Sequence, residues 1–172
     1  MKSKIIMGLL GALFAVSVPA FAAEMQPTAP AEQIQNAHAA LISKVKNGIW
    51  LESYEDAIAV AKTLKRPVLI DFTGSDWCGW CIKLDQEVFR EKAFQKYAEK
   101  DLVLLKIDFP RRKRLIEAQQ KANMALAQKF GIRGFPTIVI VDSDGKELAR
   151  TGYQFGGAKK YVKHLKELLK KQ

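Results

Sequence analysis

The spacing of apolar and polar positions changes several times along the chain, and each change marks an element. Ala31 to Lys46 places Ile34, His38, Leu41 and Val45 at helical spacing, and Asn47-Gly48 stops that helix. Ile49-Trp50-Leu51 predicts a short strand. Ser53 with Asp56 three residues later is a capping box for a helix carrying Ala57, Ile58, Ala61 and Leu64 on one face, and Pro67 follows it. Val68 to Phe72 and Leu102 to Ile107 are nearly continuous apolar runs. Such runs suit strands buried on both faces, as in a parallel sheet. A helical stretch separates them, so strand, helix, strand predicts a right-handed crossover.

Leu115, Ala118, Ala122, Leu126 and Phe130 outline a further amphipathic helix. Thr137 to Val141 is a third β-rich run. The turn at Ser143-Asp144-Gly145 pairs it with Glu147 to Thr151 as a hairpin. The last helix turns Tyr161, Val162, Leu165, Leu168 and Leu169 inward, and Lys159, Lys163, Lys166 and Lys170 lie outside that stripe. Strands interleaved with helices define an α/β domain.

The first residues follow a different pattern. Lys2 and Lys4 precede an apolar run from Ile5 to Val18, Pro19 breaks it, and Ala20-Phe21-Ala22 has the form of a cleavage site. This is the tripartite export signal. Its apolar run of 14 residues is shorter than the ~20 that span a bilayer, so an uncleaved anchor is the weaker reading. No cysteine near the cut supports a lipid anchor. The mature chain is expected to begin at Ala23 and to be periplasmic or secreted, with Glu24 to Pro30 as a flexible leader. Three parts are expected: the signal over 1–22, a leader and helix over 23–48, and one domain over 49–172.

The whole chain has 172 residues, 48% hydrophobic and 27% charged, which excludes a disordered or collagen-like protein. Its formal charge is +10, and removing Lys2 and Lys4 with the signal leaves +8. The lysines are scattered, which reads as solubility and argues against a nucleic-acid role. Two cysteines and two histidines exclude a disulfide-dense scaffold, a four-cysteine iron–sulfur site and most multi-histidine metal sites.

Both cysteines lie in Cys78-Gly79-Trp80-Cys81, after a strand and at the expected start of a helix. Unpaired N–H groups and the helix dipole favour a thiolate on Cys78, the expected attacking group. Cys81, one turn inward, is the expected resolving thiol. Three alternatives remain at this stage: a structural disulfide, a zinc site and a copper(I) carrier. The first closes too short a loop to staple well. The second lacks further ligands at suitable spacing, since neither His38 nor His164 has one.

Val68 to Phe72, then Trp77-Cys78-Gly79-Trp80-Cys81, then Lys129 to Thr137 with Phe135-Pro136 together resemble the thioredoxin superfamily. The wording Gly74-Ser75-Asp76-Trp77-Cys78 is most similar to exported bacterial thioredoxin-like proteins, and the resemblance covers about residues 49–172. It implies a thioredoxin fold: a central mixed sheet flanked by helices, here with an N-terminal helical extension and a longer helical insertion before the cis-proline. It implies a redox-active disulfide between Cys78 and Cys81, a cis Pro136 beside it, and substrate contacts from Trp77, Trp80, Phe135 and Pro136. Gly152 resembles a late glycine that admits substrate. Asp71 resembles the buried carboxylate that moves the resolving thiol's proton, although it stands seven residues before Cys78, one more than in ordinary thioredoxins.

Other departures follow. Asp76 reads as a surface carboxylate. The family's buried lysine is unmatched: its position holds Leu104, and Lys106 is expected to point elsewhere. Arg111-Arg112-Lys113-Arg114 falls at the expected start of the inserted helix, where cations oppose the dipole. The family reading implies exchange with protein disulfides in the reductase or isomerase direction, with electrons from a membrane thiol donor and no cofactor. No Gly-rich nucleotide fingerprint follows any strand. The alternative is a copper carrier or redox-silent chaperone using the same face.

Overall fold

The computed structural model describes residues 30–170, so the expected export signal and its cut lie outside the described residues. In chain order the elements are α1 (Pro30–Lys46), α2 (Tyr54–Leu64), β1 (Val68–Thr73), α3 (Gly79–Leu84), α4 (Lys92–Asp101), β2 (Val103–Asp108), α5 (Glu117–Lys129), β3 (Thr137–Val141), β4 (Glu147–Thr151) and α6 (Gly157–Lys170). Pro30, expected in the leader, opens α1; a fixed φ and no N–H suit a first turn. The Ser53 cap forms as expected, its Oγ accepting the Asp56 N–H at 3.2 Å.

The sheet order is β2-β1-β3-β4. β1 pairs parallel with β2 and antiparallel with β3, and β3 and β4 form the antiparallel hairpin. All six residues of β1 are buried, which explains its nearly continuous apolar run. Val68, Ile70 and Phe72 meet Val103, Leu105, Val139 and Val141 in one core, closed by α2 and the last turn of α1. Leu69 meets Leu104, Ile138 and Ile140 in a second core under α3, α4 and α6, closed by Leu84, Phe94, Tyr161 and Leu165. Each such side chain contributes about 1.5–3 kcal/mol on full burial. Asp71 and Thr73 continue the second face, so β1 carries a carboxylate into an apolar layer.

Three expectations are corrected. Of Ile49-Trp50-Leu51, only Leu51 joins the sheet, as a single parallel bridge to Leu105. Ile49 is exposed, Trp50 packs on Phe89, and Ser53 already begins α2. Leu115 lies outside α5, and Ala118 and Ala122 on that helix are exposed. The buried residue of α5 is Asn123, whose Nδ2 donates to the Asp108 carbonyl at 2.8 Å. The basic run 111–114 precedes α5 instead of opening it, so its cations do not sit on the helix dipole.

Candidate active site

The strand β1 ends where the chain must turn into α3, and it does so in a tight turn. The Trp77 and Cys78 N–H groups both donate to the Gly74 carbonyl, at 3.2 and 2.9 Å. A Cβ on Gly74 would lie 2.5 Å from the Trp77 indole, so glycine is what lets the ring fold back over the turn. Cys78 is then the N-cap of α3, with extended backbone, and its Sγ accepts the Cys81 N–H at 3.2 Å. A sulfur in the place of a capping oxygen faces the positive end of the helix. Cys78 and Cys81 are joined as a disulfide, with Cα atoms 5.2 Å apart. Both cysteines are buried residues, Cys78 at 8% exposure and Cys81 at 4%.

Beneath α3, Asp71 is buried and its Oδ1 has no hydrogen-bond partner. Loss of hydration pushes its pKa up to about 7, Lys106 pulls it down, and Asp85 and Asp108 add to the rise. Lys106 therefore does not point elsewhere. It is the register partner of Asp71 across the β1–β2 ladder, and register partners share a face. The family offset led to Leu104, whereas pairing in this sheet selects Lys106. Tyr161, buried on α6, also feels the Asp71 charge, which together with burial holds its hydroxyl protonated. That hydroxyl donates to the Gly152 carbonyl at 3.1 Å.

Of the expected contact residues, Trp77 and Phe135 share a groove with Cys78. The Phe135-Pro136 bond is cis. Trp77, Cys78, Ile132, Arg133, Gly134 and Phe135 line an open groove of about 390 Å³. Trp77 meets Phe135 edge to face with centroids 6.0 Å apart, and its Nε1 donates to the Phe109 carbonyl at 2.7 Å. Gly152 abuts Pro136: a Cβ there would lie 3.3 Å from the Pro136 carbonyl oxygen. Trp80 is 52% exposed and packs on Tyr153 and Phe155, with Lys83 Nζ 5.3 Å from its ring. A larger cavity of about 660 Å³, lined by Arg66, Tyr97, Asp142 and Lys166 among others, is not lined by either cysteine.

Residues 54–169 match the thioredoxin-like domain family. This chain is a member of that family. The thioredoxin-like chain is 38% identical over 119 residues to the disulfide bond reductase DsbH of Chlamydia pneumoniae, a match covering 69% of this chain and 72% of DsbH. A solved DsbH oxidoreductase structure superposes with TM-score 0.67 at 37% identity, covering 72% of this chain and 85% of the other. A disulphide isomerase from Xylella fastidiosa superposes with TM-score 0.52 at 26% identity, covering 65% and 87%. The thiol:disulfide interchange protein DsbD of Vibrio vulnificus is 29% identical over 95% of this chain, which corresponds to a quarter of DsbD. The thioredoxin-like protein is thus a thiol–disulfide oxidoreductase, and the copper-carrier and chaperone readings are not favoured.

Several residues of this thioredoxin-like site escape a reading of the sequence. Tyr153 and Phe155, from the loop between β4 and α6, gather on Trp80 with Lys83 of its own helix. Asp76 accepts the backbone N–H groups of Arg111 at 2.9 Å, Arg112 at 2.7 Å and Lys113 at 3.3 Å, and these bonds hold its carboxyl below the usual range. Ser75 donates from both its N–H and its hydroxyl to the Asp108 carboxylate, at 2.9 and 2.6 Å. The loop before Cys78 and the loop after β2 are thereby tied in both directions.

Proposed function

We propose that this chain is an exported reductant of protein disulfides in the cell envelope, with Cys78 as nucleophile, Cys81 as resolving thiol and Asp71 as proton acceptor. The observation that supports it most is the Cys78 sulfur capping α3 beside the cis-Pro136 groove, in a chain 38% identical to a disulfide bond reductase. In the reduced chain the Cys78 thiolate attacks a partner disulfide. The partner's S–S bond breaks, one partner sulfur leaves as thiolate, and a mixed disulfide forms. Asp71 takes the Cys81 proton, directly or through a water. The Cys81 thiolate then attacks Cys78 Sγ, the mixed disulfide breaks, and the second partner thiolate leaves as the Cys78–Cys81 disulfide closes. Two electrons have passed to the partner.

Trp77, Phe135 and Pro136 line the approach to Cys78 and orient the incoming chain, and Trp80 with Tyr153 and Phe155 offers an aromatic platform on the other flank. Trp80 supplies no cation to stabilise the Cys78 thiolate further, which disfavours a strongly oxidising disulfide. The export signal read at residues 1–22 supports a location outside the cytoplasm, and a membrane dithiol protein is the proposed donor that restores the reduced state. Among the described residues no helix is long and apolar enough to cross a membrane. A glutathione redox titration tests the direction: a potential near about −270 mV supports a reductase, and one near about −120 mV contradicts it. The Cys81→Ser variant should accumulate mixed disulfides through Cys78.

A further inference from the structure

The basic run Arg111-Arg112-Lys113-Arg114 has no role in the exchange chemistry, yet its backbone is held. Three successive N–H groups bind the Asp76 carboxylate, two residues before Cys78. The bonds turn the backbone donors inward and leave the four side chains exposed. The Arg111 guanidinium lies 3.7 Å from the centroid of the Trp77 ring, the same ring that walls the sulfur groove. Arg133, also exposed, lines that groove together with Cys78. Among the described residues, none of these five cations has a carboxylate partner within 4.0 Å in an ion pair. Positive charge without ion-pair partners therefore stands beside the groove at Arg111 and on its lining at Arg133, with the rest of the basic run adjoining Arg111.

We propose that Arg111 to Arg114, with Arg133 on the groove's lining, form an electrostatic docking surface for an acidic polypeptide segment flanking the sulfur that Cys78 attacks. This rests on the reading of the chain as a disulfide exchanger. A cationic surface raises the encounter rate with an oppositely charged partner. A polypeptide suits the geometry better than a membrane surface or a nucleic acid. Arg111 stacks on the tryptophan that walls the open groove and Arg133 lines it, and that groove has to admit a polypeptide for exchange to occur. Asp76 acts here as a positioning residue.

The test uses the reduced protein and three disulfides: a peptide disulfide flanked by glutamates, the same peptide flanked by lysines, and neutral bis(2-hydroxyethyl) disulfide. Second-order exchange rates are measured by stopped flow at low ionic strength and at about 1 M salt, where screening acts over about 3 Å. The glutamate peptide should react at least about tenfold faster than the lysine peptide at low salt, and the ratio should fall towards one at high salt. In an Arg112→Glu/Arg114→Glu variant the ratio, normalised to the neutral disulfide in the same protein, should drop or invert. The salt dependence of the unaltered protein carries the test alone if that variant does not fold. Equal rates for both peptides, with the neutral disulfide still reduced, would overturn the docking surface and leave the proposed function standing. Equal rates together with charge-dependent binding to phosphatidylserine vesicles would overturn it in favour of a membrane surface. Exchange with none of the three would overturn both readings.

Discussion

Asp71 and Lys106 are register partners on adjacent parallel strands, and the lysine supplies the leading charge that opposes the rise of the buried carboxyl's pKa. Desolvation wins over that charge, so Asp71 titrates near neutrality. A carboxyl poised there can accept a proton at working pH, which a surface aspartate near 4 does only weakly.

The Asp71 shift has a stability consequence of definite sign. The folded protein holds this proton more tightly than the unfolded chain, whose Asp titrates near 3.8. The stabilisation of the protonated form is complete below that pH and is lost as pH rises to about 7. Urea unfolding of the oxidised protein should show a decline of about 4 kcal/mol across this window. Asp71→Asn should flatten it, and should slow release of the mixed disulfide by about 10²-fold. An unchanged pH slope in the variant would remove Asp71 as the titrating group.

Lys106→Met deletes the charge that lowers the Asp71 pKa. The carboxyl midpoint, read by carbon NMR, should move further up, and the pH profile of the resolving step should move with it. A midpoint that stays in place would show that the lysine's charge is spent on Trp50, whose ring centroid lies 5.4 Å from Lys106 Nζ.

Gly74→Ala forces a methyl against the Trp77 indole, with three ring atoms within 2.8 Å of the new carbon. Overpacking of this kind costs about 1–3 kcal/mol. Thermal unfolding should show the loss, and tryptophan fluorescence should report a displaced ring. Wild-type values for both would mean that the turn relaxes without moving Trp77.

Asp76→Ala leaves the Arg111, Arg112 and Lys113 amides without their acceptor. Hydrogen exchange at these three positions should accelerate several-fold. In the unaltered protein the protection is present above the ordinary aspartate pKa and lost as pH falls through the depressed folded value, because protonation weakens the acceptor. Equal protection in both proteins would place the order of the run elsewhere.

Features written locally were legible in the chain. β1 announces itself because both its faces are buried, and the Ser53 cap and the Cys78-to-Cys81 turn need only residues three apart. Features that depend on pairing across the sheet were not. Lys106 is visible only once β2 has a register against β1, and counting from a family offset lands on Leu104 instead. The Asp76 clamp joins residues 35 to 37 positions apart, and Asn123 is buried because it serves a carbonyl 15 residues earlier. Ile49-Trp50-Leu51 has strand-like residues, but Trp50 is used against Phe89 and one bridge is all that remains.

The pH dependence of alkylation at each cysteine of the reduced protein addresses the central claim directly, namely that the helix N-cap holds Cys78 as the reactive thiolate. Iodoacetamide should modify Cys78 with an apparent pKa below about 7.5 and Cys81 far more slowly. Two sulfurs reacting alike, with apparent pKa values near the ~8.5 of a free thiol, would contradict the account.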